Sequence, residues 1–298
     1  MRVLHLDSGL TMRGGQYQVL RLTQALEADP DVEHRLLCRG ELLDQTNGQR
    51  LTLTRLWTQA RQADLIHAHD AHTHTLAALL GGATPIVVSR RVAFPVQTGP
   101  LSRWKYRRAA RFLAVSEFVA EMLRAAAVAP SRISIVHDGL PIPSEEPRLA
   151  WRSPPRVLAL ASDDPGKGAA LAREACESAG LQLTLSNDLK RDLPDAEVFL
   201  YLSESEGLGS ALILASLAKR AIVASRIGGI PEVIEHESTG LLTDNDAASA
   251  AAALERLARE EGLGSRLAEA AFRHARREFG VDIMVAQTVE AYRSALAT

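Results

Sequence analysis

"SESEGLGSALILASL", residues 203–217, decides how the chain is read. The apolar run EVFLYLS (197–203) gives way to a carboxylate at Glu206, then to Gly207-Leu208-Gly209, and then to the helical pattern SALILASLA. A strand that passes through a glycine turn into a helix N-terminus is one βα unit of a parallel sheet. Backbone N–H groups at such a helix start sit at the positive end of the helix dipole and suit an anionic group, a diphosphate above all. Glu206 beside them can accept hydrogen bonds from hydroxyls. As a plain first-turn acid it would only favour the dipole, which is worth about 0.3–1 kcal/mol.

The same alternation runs outward in both directions. RVLHL (2–6), HRLLC (34–38), DLIHAH (64–69), PIVVS (85–89), RFLAVS (111–116) and RISIVH (132–137) alternate with amphipathic segments such as YQVLRLTQALEA and EFVAEMLRAAAV, the pattern of a doubly wound parallel sheet. Pro, Ser and charge then accumulate in HDGLPIPSEEPRLAWRSPPR, a linker composition. Beyond it the alternation restarts with VLALAS, LQLTLS, EVFLYLS and AIVAS, and residues 246–298 are almost entirely helix-forming. The expected organisation is α/β throughout. It comprises a Rossmann-like domain over 1–140, a linker over 141–155, a second Rossmann-like domain over 156–280, and a final helix over 281–298 that crosses back to the first domain. Two such domains in tandem are expected to leave a cleft between the carboxyl ends of their sheets.

Composition bounds the chemistry. Of 298 residues 46% are hydrophobic and 23% charged, enough for two buried cores. Only Cys38 and Cys176 occur, each inside an apolar segment, so neither a disulfide framework nor a thiolate metal site is expected. The opening MRVLHLDSGL is too short and too broken by charge for a signal peptide, and no apolar run approaches a membrane span; a reducing cytoplasm is the expected setting. The net charge of −2 hides a split: 17 basic against 12 acidic residues up to residue 140, and 17 against 24 beyond it.

Three further loops carry candidate chemistry. TMRGGQYQVL puts Gly14 and Gly15 between the first strand and first helix, where backbone N–H groups can approach a phosphate with no Cβ in the way. It lacks the spacing of a dinucleotide fingerprint. In ASDDPGKGAAL, Lys167 begins a helix as a point charge suited to phosphate, outside any Walker pattern. IHAHDAHTHT holds four histidines and an aspartate: His67 fits the strand, His72 and His74 fit a solvated first helical turn, and His69 stands at the strand's exit, aimed at the cleft. Two ligands at i, i+2 make a poor metal site, and none is expected. Asp244 and Asp246 in TDND precede a helix, and N-capping by one of them is read in preference to cation binding.

The set RGGQ, DLIHAHD, FLAVSEFVAEMLRAAAVAPSRISIVHDGL, GKG, SESEGLGSALILASLAKRAIVASRIGGIPEVIEHESTGLL and FGVDIMVAQTVEAYRSAL resembles, in order and over nearly the whole chain, the family 4 retaining glycosyltransferases of GT-B fold. The resemblance implies a nucleoside-diphosphate sugar, a UDP-sugar by preference, as co-substrate, with no other cofactor and no metal. It implies that Gly14 and Gly15 approach the distal phosphate, that Lys167 neutralises the leaving diphosphate, and that Gly207, Leu208 and Gly209 bind phosphate and sugar through their N–H groups. Glu206 would hold donor hydroxyls and His69 would support the sugar near the reacting carbon, both as catalytic residues.

Three departures stand against that pattern. Leu214 occupies the position of a second carboxylate that grips the ribose, Ser162 replaces an arginine, and only LQLTLSNDLKRDLPDAE separates two elements between which the family has a further βα unit. The rival reading is therefore a non-catalytic relative that binds a glycan or a partner protein.

The acceptor is expected to be a glycolipid or cell-surface glycan, as in lipopolysaccharide or cell-envelope biosynthesis, met at the inner membrane face. RRVAFPVQTGPLSRWKYRRAARF gathers Arg90, Arg91, Arg103, Lys105, Arg107 and Arg108 around Trp104, a composition suited to an acceptor phosphate or an anionic membrane surface. The chain as a whole lacks the basic excess and recognition module of a nucleic-acid binder.

Overall fold

The computed structural model describes residues 1–97 and 99–297. The chain divides into two compact units, Met1–Gly139 with Val281–Thr298, and Leu140–Gly280.

In the first unit seven strands form one parallel sheet: β1 Arg2–Leu6, β2 Glu33–Cys38, β3 Gln49–Arg50, β4 Leu65–Ala68, β5 Ile86–Arg90, β6 Arg111–Ala114 and β7 Ile133–Ile135, in the order β3-β2-β1-β4-β5-β6-β7. The central strands are buried without alternation, as strands covered on both faces must be; all four residues of β4 are buried, His67 among them. One face carries a core of Val3, Leu22, Leu26, Leu65, Val87 and Leu113, closed by Met284, Val289 and Tyr292 of the last helix, Val281–Leu296. That helix thus belongs to the first sheet although the chain reaches it last.

In the second unit β8 Val157–Leu160, β9 Leu183–Ser186, β10 Val198–Tyr201, β11 Ala221–Ser225 and β12 Leu241–Thr243 form a parallel sheet ordered β12-β11-β10-β8-β9. Its core joins Val157, Val198, Leu200 and Val223 to Leu254, Leu257 and Leu267 of the helices Ala247–Arg259 and Leu263–Glu278. The Pro-rich stretch is not a free tether: Leu149 and Trp151 pack on this core, and Arg152 Nη1 donates to the buried Glu197 at 3.0 Å. Between β9 and β10 the chain forms one helical turn, Leu189–Asp192, and a 3₁₀ turn, Leu193–Asp195, where a longer crossover would stand.

Both sheets reverse their winding once. In the first the reversal lies between the neighbours β1 and β4, in the second between β8 and β10. Ligands of doubly wound folds bind beyond the carboxyl ends of the strands at such switch points. The loops after β1, β4, β8 and β10 are those that carry the Gly14–Gly15 pair, His69, Lys167 and Glu206.

Candidate functional site

In the second unit the loops after β8 and β10 bring two candidates together. Lys167 Nζ donates to Glu206 Oε2 at 3.3 Å. The same oxygen accepts from the Tyr201 hydroxyl at the end of β10, and Oε1 accepts from the Gly207 N–H at 3.1 Å. Tyr201 is buried, and burial first, then the neighbouring carboxylate, raises its pKa well above that of a free phenol. The hydroxyl therefore stays a donor. Gly209 caps the helix Ser210–Leu217 with φ 98°, a conformation that favours glycine, and has no side chain to offer the first N–H groups.

A glycine pair from the loop after β11 sets this turn. A Cβ on Gly228, whose φ is +58°, would lie 2.1 Å from the Glu206 carbonyl oxygen, and one on Gly229 2.1 Å from that of Gly207. The Gly229 N–H donates to the Glu206 carbonyl at 3.1 Å. RIGGIPEVI is thus the bed on which the Glu206–Gly209 turn lies. Leu214 is half-buried on its helix and offers no polar atom. Ser162 closes a local turn, its Oγ accepting from the Asp164 N–H at 3.1 Å.

In the first unit the loop after β1 is built on two aspartates. Asp70 Oδ1 accepts from the N–H groups of His72 and Thr73, each at 2.8 Å, capping the helix Ala71–Leu80. Its other oxygen accepts from the Ser8 N–H at 2.7 Å, tying the β1 loop to the β4 loop. Asp7 is buried and accepts from the Gly9 N–H at 2.8 Å and the Gln16 amide at 3.1 Å; burial, the largest cause, raises its pKa. Gln16 of RGGQ is therefore the strut that holds the helix start Gly14–Leu26 against β1. A Cβ on Gly14 or Gly15 would meet no atom within 4 Å, so the space beyond both is open.

His69 stands at the end of β4, and sequence order hid its partner. His5 of β1 pairs in register with His67, and His5 Nδ1 lies 3.0 Å from His69 Nε2. His67 lies tilted against His69, 3.8 Å between ring centres, and is itself held by the Tyr292 hydroxyl at 2.6 Å and Ser89 Oγ at 2.8 Å. Desolvation lowers the pKa of all three, that of His5 to about 3, so the cluster is neutral. A ring nitrogen from each lies within 4.8 Å of the others. A metal ion drawing on all three would have to strip Tyr292 or Ser89 from His67. His5 could have been found by pairing the first and fourth strands; nothing in the sequence signals Tyr201 or Tyr292.

His74 corrects an expectation. It is buried, not solvated, since its helix turns that face onto Tyr106 and Phe112. Its Nε2 lies 3.2 Å from the Lys105 carbonyl, and burial lowers its pKa to about 3. His72 is exposed. Asp246 caps the helix Ala247–Arg259 through the Ser249 N–H at 2.8 Å.

The basic stretch divides in two. Arg91 Nε donates to the buried Asp138 at 3.1 Å, Arg90 to the Tyr106 hydroxyl at 3.1 Å and to the Phe94 carbonyl, Lys105 to the Ala71 carbonyl and Thr75, and Arg108 to the Gly82 carbonyl. Arg103 and Arg107 remain exposed, with Phe94 and Leu101 near them in sequence, while Trp104 is half-buried. Thr98 of this stretch lies outside the described residues. A cavity of about 630 Å³ opens elsewhere, at the β2–β3 edge beside Thr23, His34 and Asn47. Its lining includes none of the residues of the loops after β1 and β4. Among the described residues no helix is long and apolar enough to cross a membrane.

Residues 1–142 match the family described as Glycosyltransferase Family 4, and residues 145–260 match Glycosyl transferases group 1. The D-inositol 3-phosphate glycosyltransferase of Streptomyces coelicolor is 34% identical over 102 residues, which is 34% of this chain and 22% of that protein. The N-acetyl-alpha-D-glucosaminyl L-malate synthase of Bacillus anthracis is 31% identical over 102 residues, 34% of this chain and 27% of its own length. These matches thus span about a quarter of either relative. HepE of Anabaena, solved with UDP, is 15% identical with a TM-score of 0.83, over 99% of this chain and all of that one; its UDP-glucose complex gives 16% and 0.80 over the same shares. Two successive family matches and two doubly wound parallel sheets agree, and the chain belongs to the family 4 glycosyltransferases of GT-B fold.

Proposed function

We propose that the protein is a retaining, metal-independent glycosyltransferase that moves a sugar from a nucleoside-diphosphate donor, a UDP-sugar, to a glycolipid or cell-envelope glycan at the cytoplasmic face of the membrane. The observation that carries this reading is the meeting of Lys167, Glu206 and the helix start at Gly209 on the switch point of the second sheet. In it the diphosphate takes the N–H groups of Leu208 and Gly209 and the Lys167 ammonium, while Glu206, held by the Gly207 N–H, accepts from sugar hydroxyls. Breaking the glycosyl–phosphate bond develops negative charge on the leaving diphosphate and positive charge on the sugar, so donors already aimed at the leaving group lower the barrier. HepE of Anabaena binds UDP and UDP-glucose, which supports the choice of base.

In the first unit, the open space beside Gly14 and Gly15 admits the distal phosphate, and His69 supports the sugar. Arg103 and Arg107, with Phe94 and Leu101, are the side chains left to meet an anionic lipid or acceptor.

A specific observation favours a second reading. Leu214 and Ser162 give up two polar contacts to the donor, and a binder of glycans or of a partner protein needs neither. Incubation with UDP-, GDP- and ADP-sugars separates the two: release of the nucleoside diphosphate from one donor supports the enzyme. No release from any donor, with no thermal shift, supports the binder.

A further inference from the structure

We propose that His5 is a positioning residue that fixes the tautomer of His69, so that His69 presents an Nδ1–H donor at the carboxyl end of β4. The inference deepens the reading of His69 as a sugar contact and rests on it, but its first test does not use activity.

The facing nitrogens, His5 Nδ1 and His69 Nε2, are 3.0 Å apart, so one proton lies between them. The outward nitrogens, His5 Nε2 and His69 Nδ1, are both buried and have no partner. Both rings are neutral, because burial and the neighbouring histidines oppose a charge. Each ring therefore carries one N–H, and only two arrangements satisfy the pair. In one, His5 Nδ1–H donates to His69 Nε2; His69 then bears its proton on Nδ1, and His5 Nε2 is a bare lone pair. In the other, His69 Nε2–H donates to His5 Nδ1, and His5 must bear an unmatched N–H on Nε2.

The two differ in where the unmatched donor falls. His5 is 0% exposed, mid-strand in β1, with His34 edge-on beside it. His69 keeps 7% exposure as the last residue before Asp70. A stranded buried N–H is costly. His69 Nδ1 is covered too, but its ring lies just beyond the last residue of β4 and keeps some exposure, so a small shift opens that nitrogen to an acceptor, whereas the His5 ring is covered throughout. The first arrangement is therefore the favoured one. His67 does not compete as a partner, since Tyr292 and Ser89 occupy both of its nitrogens. An imidazole free of such a partner prefers its proton on Nε2, so His5 reverses the intrinsic preference. The result is a neutral donor aimed at an oxygen acceptor, a sugar hydroxyl or carbonyl, and not a proton-transferring acid.

The test is a two-bond ¹⁵N–¹H correlation spectrum of the full chain at pH 7, with His69 assigned by His69→Gln. The expected wild-type pattern has His69 protonated on Nδ1. His5→Phe should move at least half of His69 to the Nε2–H form, and His5→Asn, whose amide Nδ2 stands where the imidazole Nδ1 stood, should retain the wild-type form. A wild-type His69 protonated on Nε2, or one unmoved by His5→Phe, overturns the proposal; if the Phe variant fails to fold, the wild-type and Asn spectra decide alone. In turnover of UDP-glucose, His5→Phe should lower kcat about tenfold with KM nearly unchanged, and His5→Asn should recover most of it. A tautomer shift that leaves kcat unchanged overturns the role given to the donor. The expected spectra in a protein that turns over no nucleotide sugar uphold the positioning and remove the transferase reading.

Discussion

Lys167 and Glu206 lie 39 residues apart in the chain and meet at 3.3 Å across the switch point of the second sheet. Each is the other's counter-ion. The carboxylate has two further donors, Tyr201 and Gly207, that do not depend on the lysine, so Lys167 can turn to a phosphate while Glu206 stays where it is. Glu206→Gln removes the lysine's competing partner. It should leave the affinity for bare UDP unchanged or slightly tighter, and weaken UDP-glucose about tenfold, the worth of one charge-assisted hydrogen bond. Parallel titrations with the two ligands check this; equal losses for both would remove Glu206 from the sugar.

The bed beneath that turn is intolerant of a side chain. Gly228→Ala would place a methyl 2.1 Å from the Glu206 carbonyl at a positive φ, so the turn must move. The variant is expected to lose about 2 kcal/mol of stability or more and to weaken UDP with it. Gly14→Ala, which meets open space, should cost stability far less. Chemical denaturation of both measures the difference, and a Gly228→Ala curve that overlays the wild type would show the contact to be slack.

Acid should unfold the first unit early. His5 and His74 are neutral when folded, with pKa values lowered to about 3, against 6.5 in the unfolded chain. Between those limits the unfolded state binds more protons, so stability rises with pH and falls on acidification. Each such histidine contributes up to about 1.4 kcal/mol per pH unit below about pH 6.5. Melting temperatures from pH 7.5 to pH 5 should fall steeply before the carboxylates titrate. His74→Phe, which removes one of these protons, should flatten the slope; an unaltered slope would mean that His74 is not buried neutral.

The membrane contact proposed above rests on the two exposed arginines, Arg103 and Arg107. Arg103→Glu with Arg107→Glu should reduce binding to vesicles containing anionic lipid about thirtyfold or more, about 1 kcal/mol for each charge removed near the surface. Arg91→Lys should have little effect there, because Arg91 is held by Asp138. Sedimentation with vesicles at low and physiological salt reads this, and binding unchanged by the double variant would place the contact elsewhere.

Much of the fold could be read from the chain because central parallel strands are mostly apolar runs, interrupted in β1 and β4 only by His5 and His67 and the end residue Arg2. Two strands escaped for opposite reasons. β3 is two exposed residues, Gln49 and Arg50, with no apolar signal, and β12, Leu241–Thr243, is too short to show a pattern. Of the site, the glycine turns and Lys167 were legible as loops that follow strands. What was not legible is pairing across strands. His5 reads alone in RVLHL, and only the β1–β4 register shows it beside His69. His74 was misplaced because a histidine on a helix's first turn looks solvated until the helix packing against it is known.

Isothermal titration of UDP into the wild type and Lys167→Ala tests the central claim most directly. A measurable affinity in the wild type, weakened tenfold or more by loss of the ammonium, is the predicted result. Equal heats and equal affinities in the two proteins would contradict it, for the diphosphate would then owe nothing to the lysine at the switch point.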